Sequence, residues 1–547
     1  MAREAPRPQT APATWIVAAA YLLLTLVFTY PLSIHPASTI IWRNADTDLF
    51  MWTLAWNTHA IVQQPLAIFD ANIYYPYPHT LAYSENLLGS TIFAAPVLWT
   101  TDNPVLALNV VALSSVFLCG LGGYLLGRRL GLHWLSAFLC GVVFAFAPSR
   151  FYRITQLHLT TVQWMPFTLA YLHGYFDDGR RRDLRIAIAF FSLQVLTSGH
   201  GAVFLVVAAG CLVAFRLALG RSIEPLTQLP RDVGLIGIAL LLPTLLIAIP
   251  YRAVQIEMGL RRALAESPSA VSFLASPTHV QAFVLSFFPD AKVMERASAL
   301  LFPGFLTIAL AAIAFVPRGA SAPPQARDRA FYGLLTVAVL LLATGIAWPY
   351  VYWLPGMNFT RAPSRFMILA TLTLAVLAAM GLERLRALVS PAWRNAAAFA
   401  VIALFLVEFN GVPFEVIEHE VKLPAADRWL AGQPTPFVVA EAPVQMLDRY
   451  QTAYMLHSRA HWQRTIHGYS GMRPELHERL FRLLGRFPDT DSIDTLENLG
   501  VKYVVVHIDQ YYEPGEWPAV EKRLAEYSSR LTLEYQDRTA RVYSLRR

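Results

Sequence analysis

Charge and cysteine are both scarce in this chain of 547 residues. Only 15% of its residues are Asp, Glu, Lys or Arg, whereas 55% are apolar, and its mean hydropathy is +0.42. A string of water-soluble domains is excluded by those proportions, because such domains carry about a quarter charged residues. The excess apolar surface belongs in lipid. The three cysteines, Cys119, Cys140 and Cys211, all fall inside apolar stretches, so no disulfide framework is available to the polar parts. No Ala-x-Ala cleavage signal follows the first apolar segment, which is therefore expected to be a retained span. The chain also lacks a Gly-rich phosphate loop and any recognisable metal-ligand spacing in its polar C-terminal part, which predicts no chemistry of its own there.

What is present is a series of apolar windows of spanning length. They lie near 13–34, 104–126, 133–148, 161–176, 184–198, 200–218, 232–250, 299–316, 331–348, 364–382 and 395–410. The weakest division is at Ser198-Gly199-His200-Gly201, which is either a turn between two short spans or a break in one long segment. Eleven spans with the N-terminus inside place Arg128, Arg129, Arg180, Arg181, Arg182, Arg185, Arg221, Arg231, Arg318, Arg327, Arg329, Arg384, Arg386 and Arg394 on the cytoplasmic face, as the positive-inside rule requires. The net charge of +7 is thus a topology signal and predicts no nucleic-acid partner. The expected fold is an α-helical polytopic membrane domain over 1–410, with outer loops 35–103 and 251–298, followed by an extracytoplasmic α/β domain over 411–547. The expected location is the inner (plasma) membrane.

Within the first outer loop, Asp48 to Ala67 reads as an amphipathic helix lying along the interface with Trp52 and Trp56 at headgroup level, and a second such helix is expected near Ser84. The segment Tyr74-Tyr75-Pro76-Tyr77-Pro78 reads as an ordered turn. Farther on, Phe437 to Val444 and Val501 to Ile508 read as buried strands, and Leu531 to Leu545 as a hairpin around Gln536-Asp537-Arg538. Helices are expected around Arg473 to Gly485 and Trp517 to Ser528.

Candidate functional residues collect on the outer side. Asp46 and Asp48, in Asp46-Thr47-Asp48, are placed either to cap and favour a helix start or to serve as a general base for an acceptor hydroxyl. Glu85 is either a helix-start acid next to a Ser84 cap or a substrate or metal ligand. Arg150, Arg153, Arg361 and Arg365 sit where topology does not call for positive charge, and arginine forks are good phosphate ligands. The plain alternative for each is an arginine snorkelling to headgroups. His158 and His200 lie at outer span ends, with Gln156, Gln163 and Ser198 near them in sequence, and match no zinc motif.

At Asp46-Thr47-Asp48 the chain resembles the GT-C class of membrane glycosyltransferases. Trp52-Thr53-Leu54-Ala55-Trp56, Leu81-Ala82-Tyr83-Ser84-Glu85 and Arg361-Ala362-Pro363-Ser364-Arg365-Phe366 are similar to recurrent segments of uncharacterised bacterial members. The resemblance implies a polyprenyl-phosphate sugar donor, a glycan, lipid or protein acceptor in the cell envelope, and contact with membrane lipids. It implies Asp46 as catalytic base with Asp48 as the alternative, Glu85 as a second acidic position, and the outer arginines with His158 and His200 as substrate-binding groups. The class's Asp-Glu pair is Asp-Thr-Asp here, which leaves a divalent metal an open question. The competing expectations are a lipid-linked glycan flippase or a non-catalytic scaffold. A flippase predicts ionisable residues along the spans and internal repeats, of which the sequence shows few and none convincing.

Overall fold

A computed structural model of the chain describes residues 12–218, 228–259, 267–317, 326–354, 356–357, 360–444, 448–513 and 515–546. Arg221 and Arg318, two of the topology arginines, lie outside them. Each apolar window contains a helix: Thr14–Phe28, Pro104–Arg129, Trp134–Phe146, Trp164–Asp178, Arg181–Thr197, Gly199–Ala218, Leu229–Met258, Phe305–Ile313, Ala326–Ala343, Met367–Leu388 and Arg394–Glu408. Among the described residues, five stretches are long and apolar enough to cross a membrane: Pro104–Arg129, Trp134–Phe151, Gly199–Ala218, Leu229–Met258 and Pro363–Leu388. The ambiguous division at Ser198 is a true break. Ser198 is extended (φ −156°, ψ 122°), and the two helices it separates are Arg181–Thr197 and Gly199–Ala218.

The chain divides into two compact units. The first comprises residues 1–35, 111–246 and 261–415. Its centre is the helix Met367–Leu388, buried along nearly its whole length and packed on Trp134–Phe146, Phe305–Ile313 and Ala326–Ala343. Gly381 permits the contact with Phe305–Ile313, since a Cβ there would lie 2.0 Å from the Leu310 carbonyl oxygen. Buried hydroxyl pairs join helices as well: Ser149 to Thr371 at 2.8 Å and Thr336 to Thr373 at 2.8 Å. In contrast, Leu229–Met258 exposes Leu235, Ile236, Leu242, Leu245 and Ile249, which suits contact with lipid and not with water. Several of the arginines assigned to the cytoplasmic face are ion-paired, Arg129 with Asp183 at 2.5 Å, Arg181 with Asp232 at 2.7 Å and Arg327 with Asp177 at 2.9 Å.

The second unit comprises residues 36–110, 247–260 and 416–547, so the first outer loop folds together with the C-terminal part. The mixed sheet of this unit has the order β4-β3-β5-β7-β6, where β3 is Val438–Ala442, β4 Arg464–Thr465, β5 Tyr503–His507, β6 Leu531–Gln536 and β7 Ala540–Leu545. Strands β4, β3 and β5 run parallel, and β7 pairs antiparallel with both β5 and β6. Alternation along the strands builds a core on each face. Val438, Ala440, Val504 and Val506 face the helices Glu475–Leu484 and Thr490–Asn498, while Val439, Tyr503, Val505 and Val542 face Ala425–Ala431. A short ladder, β1 (Thr39–Ile40) with β2 (Ile417–Glu418), joins the loop to the C-terminal part.

Two expectations for the loop are corrected. The helix Ala45–Gln63 is buried from Thr47 to Thr58, with Trp52 at 1% exposure and Trp56 at 2%, so these indoles are core residues and not headgroup anchors. The tryptophans stack on each other with centroids 6.1 Å apart, and the helix packs on Thr91–Thr101 and Asp448–His457. No helix starts at Ser84. A single turn, Thr80–Tyr83, ends there in extended backbone, and the next α-helix begins at Thr91.

Candidate functional site

Asn44, and not Asp46, caps the helix Ala45–Gln63: its side chain accepts from the Thr47 N–H at 2.8 Å. Both acids are therefore spared that duty, and they occupy the first turn, where the helix dipole favours negative charge. Their surroundings differ. Asp46 is half-buried, and its Oδ1 accepts from the Tyr469 hydroxyl at 2.9 Å. Burial first, and the Asp46 carboxylate second, push the Tyr469 phenol well above its ordinary pKa, so it remains a donor. Asp48 is only 5% exposed. Its Oδ2 accepts from Thr452 Oγ1 at 3.0 Å, and its Oδ1 lies 3.7 Å from His419 Nε2. The helix Asp448–His457 supports both acids, since Thr452 holds Asp48 and Met455 Sδ accepts the Tyr469 N–H at 3.0 Å.

Glu85 is buried (6% exposed) in an irregular segment and is not a helix-start acid. That segment is fixed by its neighbours: Tyr251 donates to the Ser84 carbonyl at 2.8 Å, and Asn57 Nδ2 donates to the Asn86 carbonyl at 2.6 Å. The proline-rich turn is ordered through the Tyr74 and Tyr75 N–H groups, which donate to the carbonyls of His467 and Thr465. Among the described residues, the grouping of three close metal-ligand side chains includes none of Asp46, Asp48 and Glu85.

In the first unit, Arg150 is 1% exposed and turned inward. Its guanidinium donates to the carbonyls of Ala145 and Thr160 at 2.9 Å each and to Cys119 Sγ at 2.9 Å, and it lies over the Phe144 ring. Those bonds make it a clamp on the backbone. Arg153 donates to Gln156 Oε1 at 3.3 Å. His158, His200 and Arg365 come together: the two rings have centroids 5.2 Å apart, and Arg365 Nη1 lies 2.5 Å from His200 Nε2. Ser198 Oγ donates to the His158 carbonyl at 2.6 Å, so the break between the two helices positions this cluster. Arg361 is exposed, two residues before the turn Pro363–Phe366, which delivers Arg365 to the start of Met367–Leu388.

Sequence spacing gave no sign of a cavity of about 860 Å³ in the second unit, lined by Trp56, Tyr75, Phe437, Trp462, Arg464 and Lys502 among others. Trp56 shares its helix with Asp46, ten residues on, or roughly 15 Å along the axis.

No family model matches the chain, and no curated protein matches it. Among solved structures, the arabinofuranosyltransferase AftD from Mycobacteria aligns with 98% of this chain and 40% of its own, at TM-score 0.60 and 17% identity. This chain therefore spans less than half the length of AftD. The oligosaccharyltransferase AglB from Archaeoglobus fulgidus, in complex with an inhibitory peptide and a dolichol-phosphate, aligns with 93% of this chain and 72% of its own, at TM-score 0.48 and 16% identity. ArnT from Cupriavidus metallidurans bound to undecaprenyl phosphate aligns with 98% of each chain, at TM-score 0.46 and 14% identity.

Proposed function

We propose that this chain, which has the fold of the GT-C membrane glycosyltransferases, moves a sugar from a polyprenyl-phosphate donor to a cell-envelope acceptor on the non-cytoplasmic face. The observation that carries the reading is Asp46, a half-buried carboxylate on the first helix after the first apolar segment, oriented by Tyr469 and not used as the cap. The acceptor is a glycan, lipid or protein hydroxyl, the protein crosses the inner membrane eleven times, and the N-terminus is cytoplasmic.

In this reading the reaction is a single displacement. Asp46 takes the proton of the acceptor hydroxyl as its oxygen attacks the anomeric carbon, the bond from that carbon to the phosphate oxygen breaks, and polyprenyl phosphate leaves with the electron pair. The anomeric centre inverts. Asp48, held by Thr452, is a positioning residue that keeps negative charge in the first turn beside Asp46. Arg365, with Arg361, receives the phosphate, and His158 and His200 orient Arg365. Arg150 is left out of the phosphate set because its N–H groups are given to backbone carbonyls. Glu85 is assigned to the acceptor side, within the unit that carries Asp46.

The test compares Asp46→Asn with Asp48→Asn for turnover in nanodiscs. Loss of a general base lowers turnover about 10²- to 10⁴-fold, and Asp46→Asn is expected to do so with the protein folded and inserted. Asp48→Asn is expected to leave more residual turnover. Full activity in Asp46→Asn would remove the base from the scheme.

A further inference from the structure

The second unit contains a group of ligand-type side chains that the proposed transfer does not use. Glu441 is the fourth residue of β3 and His507 the last residue of β5, and both point to the same face of the sheet, the face of Val439 and Val505. His457 ends the helix that follows β3. Glu441 Oε2 lies 2.7 Å from His507 Nε2 and 3.4 Å from His457 Nδ1, and the ligand atoms of the three all lie within 4.8 Å of one another. Glu441 is 1% exposed and His507 3%, while the His457 side chain keeps 15% exposure, so the cluster is reached from solvent on one side.

Two independent features point to a ligand here. The second carboxylate oxygen of Glu441, Oε1, is buried and has no hydrogen-bond partner among the described residues, an expensive arrangement for a charged group. The cluster also sits at a topological switch point. Strands β3 and β5 are parallel neighbours, and the chain leaves the end of β3 toward β4 on one side and the end of β5 toward β6 and β7 on the other. Open α/β sheets bind ligands in the crevice that forms at such carboxyl ends.

We infer that Glu441, His457 and His507 form a binding site for a transition-metal dication, zinc being the best match. Two imidazoles and one carboxylate suit zinc and its neighbours and not magnesium or calcium, which prefer all-oxygen shells. Ligands about 2.0 to 2.1 Å from a tetrahedral zinc stand about 3.3 to 3.4 Å from each other. The Glu441–His457 separation already has that value, and the Glu441–His507 pair lengthens when its shared proton is replaced by the ion. Glu441 Oε1 or a water completes the shell. The bound ion anchors the end of Asp448–His457, the helix whose Thr452 holds Asp48 and whose Met455 receives Tyr469, so its role is to set the Asp46–Asp48 turn from behind.

The experiment uses the full-length, tag-free protein in nanodiscs, stripped with chelator and titrated with zinc chloride. The metal content is measured after gel filtration, and X-ray absorption reports the ligands. The expected result is about one tightly held zinc per chain in a nitrogen and oxygen shell with two imidazoles, and an affinity at least about 100-fold weaker in Glu441→Gln. His457→Asn, at the partly exposed helix end, covers the case that Glu441→Gln does not fold, and it is expected to lose the zinc as well. Millimolar magnesium chloride is expected not to compete. Absence of zinc from the folded wild type, or equal zinc content in wild type and folded His457→Asn, overturns the site and leaves a hydrogen-bonded Glu–His network.

Discussion

Asp46 and Asp48 lie two residues apart on one helix but meet different neighbours, the Tyr469 hydroxyl for one and Thr452 with His419 for the other. The sequence places both acids in a helix start, and it does not distinguish them, because the distinguishing partners are about 400 residues away in the chain. It also hides Asn44, whose capping bond depends on a backbone turn that composition does not encode. A second residue-scale effect concerns His477, on Glu475–Leu484. Its imidazole is wholly buried, with Nε2 donating to the Tyr75 carbonyl at 3.1 Å, and burial lowers its pKa to about 4. The unfolded value lies near 6.5, so between about pH 6.5 and pH 4 the unfolded chain binds the proton and the folded chain does not. The stabilisation is complete above pH 6.5 and is lost as the pH falls toward 4, by roughly 3 kcal/mol. Thermal unfolding from pH 7.5 to 4 is expected to fall more steeply in the wild type than in His477→Gln, which keeps a donor for Tyr75. Parallel curves would show that His477 does not carry this dependence.

At the scale of elements, the apolar windows foretell helices because burial in lipid requires every backbone group to be bonded within the segment. The strands β3 and β5 are equally legible from their valine runs, and β6 and β7 as a hairpin around Gln536-Asp537-Arg538. The interfacial placement of Ala45–Gln63 is not, since a helix with tryptophans among polar residues satisfies a headgroup layer and a protein interior alike; packing on Thr91–Thr101 and Asp448–His457 decided for the interior. The metal cluster escaped spacing rules for a related reason: its residues come from two strands and a helix end, 16 and 66 positions apart. The turn Pro363–Phe366 positions one of the residues proposed to bind the donor phosphate. It brings Arg365 against His200 at the start of Met367–Leu388, the end of the helix whose dipole favours the proposed phosphate. Arg365→Gln is therefore expected to weaken donor-lipid binding about tenfold or more, and Arg365→Lys to restore only part, because an ammonium lacks the guanidinium fork. Unchanged donor binding in Arg365→Gln, with normal expression, would move the phosphate to Arg361 and Arg153.

For the whole molecule, the apolar windows before residue 411 and the mixed composition after it are what make a division between an apolar helical region and a polar α/β region legible in the sequence. The grouping of residues 36–110 with the C-terminal part depends on long-range pairing, such as β1 with β2 and Asp46 with Tyr469, which a linear reading does not contain. The direct measurement of the transfer reaction is release of polyprenyl phosphate from polyprenyl-phosphate sugars by the purified protein in nanodiscs, with a cell-envelope glycan fraction as acceptor and Asp46→Asn as control. Acceptor-dependent release is expected in the wild type, and at least about 100-fold less in Asp46→Asn. Equal release by the two proteins, or none from any donor by a folded wild type, would contradict the proposed transfer.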